Sequence, residues 1–184
     1  MSEKIRFLIR STNAHGIHSP FVFAFYNAVK KKAKSLMKLN QKHLGFKNQE
    51  TRILHAIYQH LNPSSILVLT PNNEEAYKAF FKDVSALVFV KNLEELDNKA
   101  QKFDFIYISN ALQINNKNTF EALLPFIQNH TAVIIPQIHA SKEAIMIWKM
   151  VGDKHVVKLS LDLFFMGLLF FRKESTKQHF VLRF

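Results

Sequence analysis

The sequence predicts an α/β fold in which short buried strands alternate with amphipathic helices around a mostly parallel sheet. Apolar runs of strand length are separated by stretches with helical periodicity, and these runs cover residues 66–69, 86–90, 103–108 and 132–135. Two later runs, 156–163 and 167–172, have no helix between them. Because strands joined without a crossover helix pair antiparallel, they predict a hairpin at one edge of the sheet.

The length of 184 residues favours a single domain, which would bury roughly 70% of the surface of its unfolded chain. Within it we predict an N-terminal helical segment, 1–61, and an α/β core, 62–184. The chain has no cysteine, which excludes disulfides, thiolate catalysis and cysteine-bound metals.

The N-terminal segment is predicted to be helical. Ser19 is suited to cap a helix that begins at Pro20, because proline favours the first helical turn. A lysine-rich helix, Lys30 to Lys42, follows it. Residues 49–61 carry a helical apolar stripe that ends before a proline.

The helices of the core follow the strands in turn. The helix at 74–82 begins with the N-x-x-E spacing of a capping box in Asn72 and Glu75. Shorter helices are predicted at 93–100 and 119–126. A last amphipathic helix, 141–150, has Ser141 as its candidate cap.

The formal charge of +11, from 25 Lys and Arg against 14 Asp and Glu, raises the question of a polyanionic partner. Nucleic acid could bind the lysine helix through its phosphates, although no nucleic-acid motif accompanies it. A solvated cationic face is the commoner explanation of such a charge run.

The start of the chain is too charged for a signal peptide, and the apolar run 163–171 is roughly half a membrane span. We therefore expect a cytoplasmic protein with no membrane association. Most of the aromatic residues near the C-terminus are expected in the core, and the rest could form a surface for a protein partner or a homodimer. They are Phe164, Phe165, Phe170, Phe171, Phe180 and Phe184.

The turn after the first strand, Pro71 to Asn73, is where an open α/β sheet normally binds a nucleotide. It contains no glycine, and no glycine falls between residues 46 and 151. Glu74 and Glu75 occupy the positive end of the helix dipole that a phosphate would otherwise use. These features argue against a dinucleotide site.

Three blocks of sequence resemble one known family. They are HGIHSPFVF at 15–23, QIHASK at 137–142 followed by Trp148, and DLFFMGLLFFRKE at 162–174 followed by KQHFVLRF at 177–184. These strings resemble bacterial class I methyltransferases that depend on S-adenosylmethionine (SAM), in a form associated with Bacteroidetes. The resemblance implies a Rossmann-like sheet with a β-hairpin at one edge. It also implies that this chain lacks about one strand-helix unit, between residues 82 and 103.

The chain departs from that family where the cofactor would bind. Relatives have an acidic residue and a glycine-rich turn after the first strand, where this chain has Thr70 and Pro71. If 86–90 corresponds to the family's second strand, the acid expected after it is replaced by Lys91; if it corresponds to the third, the ribose-binding element is missing. Ile-Asp-Gly after the next strand is replaced by Ile108-Ser109-Asn110. The resemblance places a cofactor pocket, which we expect to be vestigial, at Thr70, Asn72, Glu74, Lys91, Ser109 and His139.

His139 is the best candidate polar site residue, because it follows a strand's carboxyl end. The sequence places no acidic residue next to it, so we expect a histidine bonded to backbone rather than a general base. His15 and His18 are spaced as two metal ligands on a helix could be, but we expect a structural role and predict no metal site.

These observations predict a methyltransferase-like protein that has lost, or severely weakened, cofactor binding and works through its surface. No bound cofactor is the expectation, with SAM as the alternative. Two other functions stay open: an active methyltransferase in which Asn72, Glu74 and Ser109 rebuild the pocket, and a nucleic-acid-binding protein that uses the lysine helix.

Overall fold

The computed structural model describes residues 2–38, 49–71, 74–82, 84–96, 101–114 and 117–184. The helices are α1 (Glu3–Arg10), α2 (Pro20–Lys38), α3 (Gln49–Leu61), α4 (Glu74–Phe80), α5 (Lys117–Leu123) and α6 (Lys142–Gly152). The strands are β1 (Ser65–Leu69), β2 (Ala86–Val90), β3 (Phe105–Ile108), β4 (Ala132–Pro136), β5 (Leu159–Asp162), β6 (Met166–Phe170) and β7 (Gln178–Val181).

The strands form one seven-stranded sheet in the order β2-β1-β3-β4-β6-β5-β7. The first four strands in this order pair parallel, and β6 runs antiparallel to both β4 and β5. The predicted α/β fold and its antiparallel hairpin are therefore confirmed. The parallel strands put their carboxyl ends on one edge, where β1, β2 and β3 end in register at Leu69, Val90 and Ile108.

The prediction that the hairpin lies at one edge of the sheet was wrong, because a seventh strand, β7, pairs parallel with β5 and occupies that edge. The sequence did not indicate β7, because its four residues QHFV have neither an apolar run nor a clean alternation. Beyond β7, Thr12 bridges Leu182, donating its N–H to Val181 O at 2.9 Å. This bridge ties the segment after α1 to the edge of the sheet.

Two hydrophobic layers cover the faces of the sheet. Along β1, Ile66 and Val68 face the layer that includes α2 and α3, whereas Leu67 and Leu69 face the layer that includes α6. This alternation follows from the two-residue period of a strand. All four side chains are buried, as expected for a parallel strand covered on both faces.

Ser19 and Ser141 cap their helices as predicted: Ser19 Oγ accepts from Val22 N at 3.4 Å, and Ser141 Oγ from Ala144 N at 3.0 Å. The lysine-rich segment is not a separate helix but the second half of α2, a continuous helix of 19 residues. The helix continues through the lysines because Leu36 is buried in the core and packs this part of α2 against the rest of the protein. Lys42 and Gly45 lie outside the described residues.

Two short helices differ most from their predictions, while α4 ends at Phe80 instead of residue 82 and α6 at Gly152 instead of residue 150. In 93–100, the described part contains one 3-10 turn, Leu93–Glu95, begun by the Asn92 side chain, which accepts from Glu94 N. The helix predicted at 119–126 begins at Lys117 and ends at Leu123, where a 3-10 turn, Leu124–Phe126, replaces it. Pro125 explains this change, because a proline cannot donate to the preceding helical turn.

The C-terminal aromatic residues are packed, as predicted. Phe170 and Phe171 are buried on opposite faces of the sheet, and Phe165, Phe180 and Phe184 pack against the layer that contains Phe170. Phe184 lies 4.7 Å from the Tyr26 ring, centroid to centroid, and the Tyr26 hydroxyl donates to Arg183 O at 2.7 Å. Within the described ranges, none of the helices has both the length and the apolar character needed to cross a membrane.

Asp104 ties the amino ends of β1 and β3 together. Its Oδ2 accepts from the Ser64 hydroxyl at 2.6 Å, from Ser64 N at 2.8 Å and from Ser65 N at 3.2 Å, and its Oδ1 lies 2.8 Å from His130 Nε2. Partial burial by itself would raise the pKa of Asp104. The hydrogen bonds from Ser64, His130 and Ser65 outweigh it and lower the pKa to about 2.

We therefore predict that Asp104 stabilises the fold in a pH-dependent way. Its folded pKa is depressed, so its contribution is complete above the unfolded value of 3.8 and is lost as the pH falls toward about 2. Asp104→Asn should lower the free energy of unfolding by at most about 2 kcal/mol at pH 6, and by less as the pH approaches 2. Urea unfolding between pH 2 and 6 measures this difference. With the exposed Glu94→Gln as control, a difference that stays constant over this range would contradict the prediction.

Candidate functional site

The residues of the predicted cofactor pocket at the ends of β2, β1 and β3 lie in one row. Thr70 N donates to Val90 O and Ser109 N donates to Leu69 O, both at 2.9 Å. The row therefore runs Lys91, Thr70, Ser109 along the carboxyl edge of the sheet. Thr70 is buried, whereas Lys91 is exposed.

The turn after β3 is closed by the side chain of Gln113. Its Oε1 accepts from the Ser109 hydroxyl at 3.0 Å and from Asn110 N at 3.1 Å. Asn110 in turn accepts from Leu112 N through its side chain, at 2.9 Å. The Ser109 hydroxyl and the Asn110 amide, the donors that a ligand at this strand end would meet, are thus already bonded within the chain.

The turn after β2 is closed in a similar way by Glu95. Its carboxylate accepts from Lys91 N at 2.9 Å and from Asn92 Nδ2 at 3.1 Å. The Glu95 carboxylate is thus held by the turn itself, whereas the neighbouring Glu94 is exposed. The strand end therefore presents the exposed Lys91 cation, with Glu95 held by the turn behind it.

Two residues of the pocket predicted at this edge of the sheet remain, Glu74 and Asn72. Glu74, at the start of α4, lies 3.8 Å from Lys78 Nζ, and both side chains are about half exposed. Asn72 lies outside the described residues. The structure thus aligns Thr70, Lys91 and Ser109, and it pairs Glu74 with a lysine of its own helix.

His139 lies among different elements from that row and has an acidic partner, contrary to the prediction. Its Nε2 is 2.8 Å from Oδ2 of Asp162, at the end of β5, and both side chains are largely buried. The prediction was wrong because it considered only neighbours in sequence, whereas Asp162 is 23 residues away. The antiparallel pairing of β4 with β6 brings the hairpin end to the end of β4.

The hairpin turn that holds this pair has an unusual backbone. Phe164 has φ of 72° and Gln137 has φ of 56°, and Gln137 N donates to Phe165 O at 2.7 Å. Left-handed backbone is strained for a side chain as large as phenylalanine. Asp162 supports the turn, because its Oδ1 accepts from Phe164 N at 2.8 Å.

The His139 ring lies between two aromatic rings. It stacks on Phe164 at 5.0 Å between centroids, with an interplanar angle of 18°, and Phe7 of α1 meets it edge-on at 6.1 Å. Phe7 is the buried residue of α1. Asp162 and Phe164 therefore fix the ring from two sides, and α1 covers it.

A cavity of about 430 Å³ opens between α1, α6 and the edge strands, next to His139 and Asp162. Its charged and polar lining comes from Glu3, Arg6, Arg10, His139, Lys142, Lys149, Asp162 and His179, and its other lining residues are Phe7, Ile9, Ile145, Trp148 and Val181. His179 Nδ1 is 2.7 Å from the Ser160 hydroxyl, and burial is the main cause that lowers the His179 pKa. A sequence signal could have indicated this site: Asp162 is a carboxylate at the end of a buried strand, just before the hairpin turn.

The other candidate residues from the sequence, on α2 and at 15–18, do not line this cavity. Lys30 Nζ bonds the Tyr26 hydroxyl at 3.3 Å and lies over that ring, while Lys31 and Lys34 are exposed on α2. His15 and His18 are exposed. Among the described residues, no group of three His, Asp or Glu side chains is placed to hold a metal ion.

Comparisons with solved structures identify the fold. One match is an O-methyltransferase from Bacillus cereus in complex with S-adenosylhomocysteine (SAH), with a TM-score of 0.51 and 12% sequence identity, over 78% of this chain and 90% of that one. Another is the SAH-bound methyltransferase PaMTH1 of Podospora anserina, with a TM-score of 0.50 and 9% identity, over 92% of this chain and 94% of that one.

No protein-family model matches the sequence, and curated protein sequences give no significant match. At 9–12% identity the structural matches speak to the fold alone. The parallel strands, the hairpin beside β4 and the helices on both faces agree with that fold. The chain therefore has a shortened form of the Rossmann-like α/β fold of class I SAM-dependent methyltransferases.

Proposed function

We propose that this chain has the methyltransferase fold but has lost, or severely weakened, SAM binding at the carboxyl edge of its sheet. It would then act by binding a partner or ligand rather than by transferring a methyl group. The observation that carries this proposal is the closure of two strand-end turns by Gln113 and Glu95.

Closure has an energetic consequence for a ligand. To bond the Ser109 hydroxyl and Asn110 N, a ligand must first displace Gln113 Oε1 from both. Each exchanged hydrogen bond is worth only about 1 kcal/mol net, so a ligand gains little by replacing contacts that the protein already makes. An open turn offers the same donors without this competition.

The charges at the strand ends also disfavour SAM binding. SAM carries a sulfonium and an ammonium group, and both need negative or accepting partners. At this edge Lys91 supplies a positive charge, Glu95 is held by the Lys91 and Asn92 turn, and Glu74 is paired with Lys78. Like charges disfavour binding, so the row of strand ends is poorly matched to a cationic cofactor.

Calorimetric titration with SAM and with SAH tests the proposal. We expect no binding tighter than about 1 mM, which corresponds to about −4 kcal/mol. The Bacillus cereus O-methyltransferase, titrated under the same conditions, is the positive control. A micromolar dissociation constant for the present chain would contradict the proposal. If Ser109→Ala and Glu74→Gln then weakened that binding, the rebuilt-pocket alternative would be supported instead.

A further inference from the structure

We propose that the cavity between α1 and α6 is a binding site for a small organic anion, with His139 and Trp148 as its central polar contacts. This site is separate from the row of strand ends at Thr70, Lys91 and Ser109. Its occupancy does not depend on whether SAM binds there.

Two buried ring nitrogens at this cavity have no hydrogen-bond partner among the residues that the structure describes. They are His139 Nδ1 and Trp148 Nε1, and both residues line the cavity. Trp148 is only 2% exposed, and the acid closest to His139 Nδ1, Glu3, is 4.0 Å away, beyond hydrogen-bond distance. Burying a polar group without a partner is destabilising, so two beside one cavity indicate that a ligand supplies the missing contacts.

The chemistry of these two groups favours a ligand that accepts hydrogen bonds. The indole N–H of Trp148 can only donate. His139 Nδ1 donates whenever it carries a proton, in the imidazolium or in the Nδ1–H tautomer, and accepts in the Nε2–H tautomer, so the Trp148 N–H is the group that selects an acceptor. Asp162 holds the opposite nitrogen, and the stack on Phe164 fixes the ring plane, so His139 is oriented before a ligand arrives.

The charges around the cavity favour an anion. Asp162 is engaged with His139, and Glu3 forms an ion pair with Arg6 at 3.0 Å. Arg10, Lys142 and Lys149 also line the cavity, and no ion pair involves them within the part of the chain that the structure describes. Arginine and lysine are the side chains that bind phosphate and carboxylate groups.

The size and the apolar lining favour an organic molecule over a bare inorganic ion. A cavity of about 430 Å³ falls in the range of small-molecule sites. Phe7, Ile145, Trp148 and Val181 supply apolar surface beside the charges. The geometry therefore fits an aromatic or aliphatic body that carries one phosphate or carboxylate group.

The strained backbone next to the site is consistent with this role. Phe164 and Gln137 both adopt left-handed conformations, which are unfavourable for residues with a side chain. Strain of this kind persists where it positions a functional group. Here it places the Phe164 ring against His139 and the Phe164 amide on Asp162.

The single tryptophan makes the site directly observable, because the one indole N–H resonance of the ¹⁵N-labelled protein belongs to Trp148. We expect phenyl phosphate or benzoate to shift this resonance with a submillimolar dissociation constant, and the tighter of the two identifies the anionic class. Phenol, which has the same ring without the charge, should bind at least tenfold more weakly. Absence of a shift with both anions up to 10 mM, or equal binding of phenol, would overturn the proposal.

Matched variants separate the site from general charge attraction. Arg10→Gln with Lys149→Gln removes two exposed cavity cations and should weaken binding about tenfold, equivalent to 1.4 kcal/mol. Lys31→Gln with Lys34→Gln removes the same charge from α2 and should change binding less than twofold. Equal effects of the two double variants would overturn the proposal. His139→Gln should also weaken binding, and an unchanged indole position in the free variants verifies that the fold is intact.

Discussion

Gly167→Ala is expected to lower the free energy of unfolding by about 3 kcal/mol, at the upper end of the cost of overpacking a core. A Cβ at residue 167 would lie 2.5 Å from Trp148 Cζ3, 2.7 Å from Cη2 and 2.8 Å from Cε3. The Trp148 ring cannot move aside easily, because it is 2% exposed and packed between α6 and the sheet. The added methyl group must therefore push the helix away from β6.

Gly152→Ala provides a matched control for this prediction. A Cβ there would meet Ser160 Oγ at 3.6 Å, which is ordinary van der Waals contact. Urea unfolding gives the free energy, and thermal unfolding gives the Tm, both followed by circular dichroism for the two variants. We expect a loss of about 6–12 °C in Tm for Gly167→Ala and little change for Gly152→Ala. Equal stabilities of the two variants would show that the ring adjusts without cost.

Asp162→Ala is expected to destabilise the protein by about 3 kcal/mol. The substitution leaves two donors without their partner, His139 Nε2 and Phe164 N, each 2.8 Å from the carboxylate. Asp162 is 5% exposed, so water cannot easily replace it, and hydrogen bonds to charged groups contribute about 1.5–3 kcal/mol each. The strained turn at Phe164 also loses the bond that supports it.

Asp162→Asn separates the two roles of this carboxylate, because an amide keeps one oxygen and loses the other. We expect a smaller loss, about 1–2 kcal/mol, with one of the two bonds retained. Urea unfolding gives the free energies, and imidazole resonances report whether His139 keeps its position. Asp153→Ala, which removes an exposed carboxylate at the end of α6, is the control. A loss of less than 0.5 kcal/mol in Asp162→Ala would contradict a supporting role for Asp162.

The elements that could be predicted were those with a local signal. The six predicted strands were found because each is a short apolar run, and the starts of α2 and α6 because Ser19 and Ser141 are cap residues. β7 has no such signal, and its pairing depends on β5 already being in place. The local sequence pattern therefore predicts which residues are buried and where helices begin, but it does not predict every strand pairing.

The candidate site was predicted only in part for the same reason. The position of His139 after a strand was correct, and its lack of an acidic partner was not. Gln113 and Glu95 were not considered, because turn closure depends on side-chain direction within a short loop. The cavity also needs α1, whose Phe7 reaches His139 from the other end of the chain.

The sequence by itself determined the fold class, the alternation of buried residues along β1 and the absence of glycine from the turn at its end. These properties repeat with the period of a strand or helix, so they can be read from neighbouring residues. The tertiary structure alone decided that His139 meets Asp162, that Trp148 lies over Gly167 and that α1 closes a cationic cavity. Such contacts depend on strand order and register, which bring together residues that are far apart in the sequence.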